Sequence, residues 1–146
     1  MNVYLDNSFL NRPFDNPEVG VNRLESEILL LIHKLVKTGK VNLVNSSMIE
    51  YENSLNPFSD RKLFIQELLK ESTIYQNINQ KIRDRAKSIT ENMNTAPIDA
   101  LHLASAEEAK VDLFITCDYN LTKKYKGDLE VITPLEFLGI YERTNQ

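Results

Sequence analysis

The chain of 146 residues is 42% hydrophobic and 26% charged, and its 17 Lys+Arg against 21 Asp+Glu give a net charge of -4. This balance fits one globular domain and excludes a strongly basic nucleic-acid binder, so a polyanionic partner must meet a local basic patch. A single cysteine excludes an internal disulfide and a zinc site of paired CxxC motifs, and no apolar run reaches the roughly 20 residues of a membrane span. The start of the sequence lacks the regions of a signal peptide, so we expect a cytoplasmic protein.

The first part of the chain is predicted to alternate between strands and helices. Apolar residues recur at helical spacing before Gly39, which is suited to the end of a helix. Ser46 and Ser47 are good helix N-caps, and Pro57 marks the end of the helix that follows them. The predicted elements are a strand at 3–5, a loop at 11–17, a helix over 21–38, a strand at 41–44 and a helix over 48–55.

The second part of the chain repeats this alternation. Pro97 suits the first turn of a helix, where its missing N–H costs no hydrogen bond. The predicted elements are helices over 60–71, 76–92 and 97–109, a strand at 113–116, a helix over 119–124, a strand at 130–132 and a final turn at 134–138. The sequence therefore predicts one α/β domain over residues 1–146, with a central, mainly parallel sheet flanked by helices in three layers.

Acidic residues follow two of the predicted strands, at the sheet edge where parallel α/β folds bind ligands. Asp6 ends the first strand and Asp118 follows the strand at 113–116. Asp99 lies in the first turn of the helix that Pro97 opens, between apolar neighbours. Each aspartate could equally serve as a turn or helix-cap residue, because carboxylates are favoured at helix N-termini. Three such residues at one edge nevertheless favour a shared site.

A fourth acid comes from the helix after Ser46. Glu52 shares a helix face with Met48 and Leu55, whereas Glu50 lies about 200° around the helix axis from Glu52. We therefore expect Glu52 to point inward, although a shift of the helix start would favour Glu50. Four converging carboxylates require raised pKa values or a divalent cation, and all-oxygen ligands suit Mg2+ or Mn2+.

These residues stand in motifs that resemble those of PIN domains, in the same order along the chain. The third and fourth segments are the most specific, because they carry the "DALHLA" pattern and a strand that ends in Thr-x-Asp. The four matching segments are 3–8 (VYLDNS), 46–52 (SSMIEYE), 96–106 (APIDALHLASA) and 112–120 (DLFITCDYN).

The resemblance implies a metal-dependent ribonuclease of the VapC type, the toxin of a type II toxin–antitoxin pair. It implies a cognate antitoxin protein, a homodimer, and catalytic roles for Asp6, Glu52, Asp99 and Asp118, of which the three aspartates bind Mg2+ or Mn2+. Supporting polar roles fall to Asn7, Ser8, Thr116 and Asn120. Many relatives carry a further acid where this chain has Asn120, so a second metal position would lack one charge.

The proposed reaction is hydrolysis of an RNA phosphodiester by an activated water, leaving a 5′-phosphate and a 3′-hydroxyl. Lys123, Lys124 and Lys126 are the predicted RNA contacts, because they follow Asp118 closely, and a second basic run lies at 81–87. We expect His102 to be a packed helix residue. Cys117 lacks the paired histidine that a nucleophile needs.

Two other functions agree with the same residues. One is a PIN-fold binding module without turnover, which a test of metal-dependent ribonuclease activity would distinguish. The other is a phosphoryl-accepting α/β signalling domain, in which Glu52 and Asp99 would have no role.

Overall fold

The structure is a computed structural model that describes residues 1–144, so the last two residues of the predicted domain lie outside the described part. Its strands are β1 (Asn2–Leu5), β2 (Asn42–Ser46), β3 (Ile74–Gln76), β4 (Leu113–Ile115) and β5 (Val131–Ile132). Its helices are α1 (Asn7–Leu10), α2 (Gly20–Lys37), α3 (Ser47–Ser54), α4 (Ser59–Leu69), α5 (Gln80–Met93), α6 (Pro97–Glu108), α7 (Tyr119–Lys124) and α8 (Pro134–Thr144). A 3-10 turn spans Arg12–Phe14.

The described strands form one parallel sheet in the order β3-β2-β1-β4-β5. Both faces of this sheet are covered, because Val3, Tyr4 and Leu5 alternate across the central strand and all are buried. Tyr4 stacks on Phe114 of the neighbouring strand and contacts His102 of α6 edge-on. The predicted parallel α/β fold is confirmed, and α6 lies over the centre of the sheet.

The strand order changes direction at β1, and this topology decides where a site can form. From β1 the chain adds β2 and β3 on one side, and later β4 and β5 on the other. The carboxyl ends of β1 and β4 therefore diverge into connections on opposite sides, which leaves a crevice between them. Residues that directly follow these two strands line that crevice.

Two elements differ from the sequence prediction. The helix predicted from residue 76 begins only at Gln80, where the Asn79 side chain accepts a hydrogen bond from the Ile82 amide at 2.8 Å. The residues before it form β3, which pairs with β2. The final turn is the first part of α8, because Phe137 is fully buried and anchors a longer helix.

Exposed leucines stand in or beside three helices. Leu24 and Leu63 are exposed, and so is Leu55, which the sequence placed on the inward face of its helix with Met48 and Glu52. In α2 the buried position next to Leu24 is taken by Glu25. Among residues 1–144, no helix is both long enough and apolar enough to cross a membrane.

Candidate active site

Asp6 lies at the crevice between β1 and β4. Its backbone amide donates to the Ile115 carbonyl at 2.9 Å, which continues the pairing of the two strands to their ends. Its carboxylate accepts from the Asn7 amide at 2.9 Å, from the Ser8 hydroxyl at 2.9 Å and from the Thr116 hydroxyl at 2.8 Å. Ser8 and Thr116, two predicted supporting residues, thus fix one oxygen of a carboxylate that is only 5% exposed.

Thr116 also connects Asp6 to Asp118. Its hydroxyl accepts from the Asp118 amide at 3.0 Å while it donates to Asp6. Oδ1 of Asp118 then accepts from the amides of Asn120 and Leu121 and caps α7. Capping and participation in a site are therefore compatible, because the cap uses one carboxylate oxygen and Asp118 is exposed.

The neighbouring supporting residues make different contacts. Asn120 contributes its backbone amide to the Asp118 cap. The Asn7 side chain accepts from the Asn11 side chain at 3.0 Å and lines a cleft beside Asp6.

Asp99 brings a third carboxylate from the first turn of α6. Burial, together with the negative charges of Asp6 and Asp118, raises the pKa of Asp99 to about 6. His102 acts in the opposite direction, and Glu52 adds a smaller increase. The pKa of Asp99 therefore reports that four acids from four separate segments share one electrostatic environment.

Glu52 is held by a buried chain of side chains. Its Oε1 lies 2.6 Å from Nε2 of His102, and Nδ1 of His102 lies 2.7 Å from the Tyr4 hydroxyl. A carboxylate only accepts, so Nε2 donates to Glu52, and in the neutral ring Nδ1 accepts from Tyr4. Tyr4 in turn contacts the Ser46 hydroxyl at 2.7 Å, and burial keeps the pKa of Tyr4 well above its usual value.

This chain of hydrogen bonds gives His102 a role that sequence reasoning missed. His102 is fully buried, as expected of a packed helix residue, but both ring nitrogens are bonded. Its spacing of three residues from Asp99 placed it on the same face of α6, and that was the available signal. Glu50, by contrast, accepts from the side chains of Asn45 and Tyr75, away from the other acids.

Glu25 is a second feature that the sequence did not reveal. It is completely buried, lies 2.9 Å from Nε of Arg12, and accepts from the Tyr119 hydroxyl at 2.9 Å. The position of Glu25 three residues before the buried Ile28 was the only sequence signal for it. Since Tyr119 directly follows Asp118, this ion pair supports the start of α7.

Cys117 lies beside that ion pair. Burial, together with the negative charge of Glu25, raises the pKa of the Cys117 thiol to about 12. The thiol therefore stays protonated near neutral pH, which agrees with the absence of a nucleophilic role.

The basic residues divide into two groups. Lys123, Lys124 and Lys126 are exposed at and just beyond the end of α7. In the other run, Arg85 pairs with Glu107 at 2.7 Å and Lys81 pairs with Glu108 at 3.3 Å. The three lysines after Asp118 are therefore better placed to contact a polyanion.

The donor chemistry of the acids fits a hard divalent ion. Within residues 1–144, no three His, Cys, Asp or Glu side chains lie close enough together to enclose a metal ion as they stand. Mg2+ usually keeps several water ligands and binds through only one or two carboxylates. The oxygens of Asp6, Asp99 and Asp118 thus suit an ion that is held partly through water.

Comparisons with known proteins agree with this architecture. A family model described as the PIN domain matches residues 3–127. A chain of the FitAcB crystal structure from Neisseria gonorrhoeae superimposes with a TM-score of 0.54 and 18% identity, covering 91% of this chain and 98% of that one. A chain of VapBC2 from Rickettsia felis, bound to a DNA fragment from their promoter, gives a TM-score of 0.57 and 14% identity with the same coverage of 91% and 98%. A comparison with curated proteins found no match.

Proposed function

Since the chain belongs to the PIN domain family, we propose that it is a metal-dependent endoribonuclease that hydrolyses RNA phosphodiester bonds. The observation that supports this proposal is that the charges of Asp6, Asp118 and Glu52 all act on Asp99, while Asp6 and Asp118 follow β1 and β4 at the crevice. Burial raises the pKa of Asp99 and repulsion from the other acids adds to this rise, and a divalent cation would relieve that repulsion.

Each acid has a proposed role in this reaction. Asp6, Asp99 and Asp118 would hold Mg2+ or Mn2+, which when bound would polarise the phosphodiester and favour ionisation of water. Glu52 orients the attacking water and accepts its proton. The water oxygen bonds to phosphorus while the P–O3′ bond breaks, so the products are a 5′-phosphate and a 3′-hydroxyl that takes its proton from solvent.

The remaining polar residues act on these acids and on the RNA. Ser8 and Thr116 fix the Asp6 carboxylate, Asn7 lines the adjoining cleft, and Asn120 donates its amide to Asp118. The exposed groups of Lys123, Lys124 and Lys126 contact RNA phosphates beside the acids. Such contacts give binding that weakens as salt concentration rises.

We further propose that the protein is the toxin of a type II toxin–antitoxin pair, acts in the cytoplasm, forms a homodimer, and is inhibited by a cognate antitoxin protein. The likeness in fold to chains of FitAcB and VapBC2 supports this. Expression of the chain alone should arrest growth, and co-expression of the antitoxin should restore it. Unchanged growth at a verified expression level would contradict the toxin role.

The substitution Asp6→Asn tests the ribonuclease. It should lower Mn2+-dependent cleavage of a single-stranded RNA by at least about 10²-fold, a typical loss for one preorganised electrostatic group. It should also weaken Mn2+ binding in titration calorimetry. Asp112→Asn is the matched control, because Asp112 binds the Asn2 amide at the opposite end of the sheet.

The two variants also separate the ribonuclease from an inactive binding module. A folded Asp6→Asn protein that cleaves as fast as Asp112→Asn would contradict the proposed active site. Wild-type protein that binds RNA without cleaving it in Mn2+ or Mg2+ would instead identify a binding module.

A further inference from the structure

A cleft of about 530 Å³ opens beside Glu52, and its contents differ from those of the acidic cluster. Ser8 and Glu52 belong both to this cleft and to the acidic cluster, and the cleft extends from them towards the start of α4. Its other lining groups include the side-chain amides of Asn7, Asn11 and Asn56, the guanidinium groups of Arg12 and Arg61, and the ring of Phe58. We call it the Phe58 cleft.

Phe58 lines this cleft and keeps much of its surface exposed. The ring is 54% exposed, although the guanidinium carbon of Arg61 lies 4.7 Å from its centre. Arg61 is itself anchored, because its Nη2 donates to the Phe14 carbonyl at 3.0 Å. The Phe58 amide donates to the Asn56 side chain at 3.1 Å, which fixes the turn before α4. The ring is therefore supported by Arg61 while more than half of its surface stays free.

The charges in and beside the Phe58 cleft leave no excess of positive charge. Arg12 pairs with Asp15 at 3.0 Å and lies 2.9 Å from the buried Glu25, Arg61 lies 3.8 Å from the Asp15 carboxylate, and Glu52 adds a further negative charge. Two cations against three anions give a phosphate group no net attraction. A neutral, flat heterocycle with hydrogen-bonding edges fits better, because it can stack on the ring and bind the asparagine amides.

We propose that the Phe58 cleft binds one unpaired base of the RNA substrate, stacked on Phe58, next to the phosphate at the acidic cluster. This inference rests on the proposed ribonuclease function and names a residue that would bind a base beside the cleavage site. Bases in a duplex are stacked on their neighbours and are not free to enter the cleft.

Binding of a fluorescein-labelled, unstructured RNA tests the proposal, measured by anisotropy in EDTA at low salt so that no cleavage occurs. Phe58→Ala should weaken binding about tenfold, the typical effect of removing one stacking side chain, and Phe58→Trp should restore it. Leu63→Ala is the matched control, because Leu63 is 58% exposed in α4, the helix that follows Phe58, but does not line the cleft. A 2-aminopurine base in the RNA should lose fluorescence on binding wild-type protein but not Phe58→Ala.

Several results would overturn the proposal. One is that wild type and Phe58→Ala bind the RNA with equal affinity, and another is that Leu63→Ala loses as much affinity as Phe58→Ala. A third is that Phe58→Ala loses as much affinity for a fully paired duplex as for the single strand. A fourth is wild-type binding weaker than about 100 μM, the upper end of non-specific affinity. If Phe58→Ala changes only self-association in sedimentation, the ring serves a protein contact and the proposal also fails.

The outcome is separable from that of the ribonuclease proposal. RNA binding that depends on Phe58, without cleavage in Mn2+, would support the base site and contradict the ribonuclease proposal. Suppose instead that wild type and Phe58→Ala cleave single strands and duplexes equally well, with the same KM. That result would support the ribonuclease proposal and contradict the base site.

Discussion

Replacing His102 with phenylalanine removes both ring nitrogens from a side chain that has no exposed surface. The bonds of 2.6 Å to Glu52 and 2.7 Å to Tyr4 are then lost together. A hydrogen bond to a charged group contributes about 1.5–3 kcal/mol to stability and a neutral one about 1 kcal/mol. Because the Glu52 side chain keeps 27% of its surface exposed, water replaces part of the loss. We expect the free energy of unfolding to fall by about 2–3 kcal/mol.

A double-mutant cycle isolates the bond between His102 and Glu52. Free energies of unfolding from urea titrations, followed by circular dichroism, should give a coupling of about 1–2 kcal/mol between His102→Phe and Glu52→Ala. Glu50→Ala is the matched control, because Glu50 contacts Asn45 and Tyr75 instead of His102. A coupling to Glu52 below about 0.5 kcal/mol, or one equal to that with Glu50, would refute the reasoning.

Two further substitutions test the buried charges. Because the pKa of Asp99 is raised from 3.8 to about 6, the metal-free protein should lose stability as pH rises through this window. Asp99→Asn removes that loss of stability. After allowance for solvent screening, the variant should be about 1–2 kcal/mol more stable than wild type at pH 7.5 but equal to it near pH 4. A difference in stability that thermal melts show to be independent of pH would contradict this. Glu25→Gln should destabilise the fold by about 2–3 kcal/mol in urea titrations, because it leaves Arg12 without its buried counter-charge. Glu27→Gln, on the exposed face of α2, should change stability by less than about 0.5 kcal/mol, and equal effects of the two substitutions would count against a structural role for the ion pair.

Local signals were sufficient for four of the five described strands and for the positions of three aspartates. Asp6 and Asp118 follow strands whose apolar runs are easily recognised, and parallel pairing alone brings such strand ends to one edge. Asp99 stands in the first turn of a helix that Pro97 marks in the sequence. The positions of these aspartates depend on hydrophobic periodicity and on helix-start residues, and both can be recognised in the sequence.

The contacts of His102 and Glu25 depend on packing between distant segments. The bond from His102 to Glu52 requires that α3 and α6 meet at a particular rotation, and both rotations are set by contacts with the sheet. From the sequence, Glu25 is indistinguishable from an exposed helix residue, and its burial depends on contacts with Arg12 and Tyr119. The strand β3 is equally dependent on its context, because its three residues gain their extended form by pairing with β2.

The order of the strands determines when, during synthesis of the chain, the acidic cluster can be completed. Asp6 leaves the ribosome early, but Thr116, which fixes its carboxylate, is encoded 110 residues later. Pairing across such a separation is slow, because a long loop must close before any contact forms. The nascent chain therefore carries its acids unassembled during most of translation. A protein with this topology can complete its acidic cluster only after nearly the whole domain has emerged.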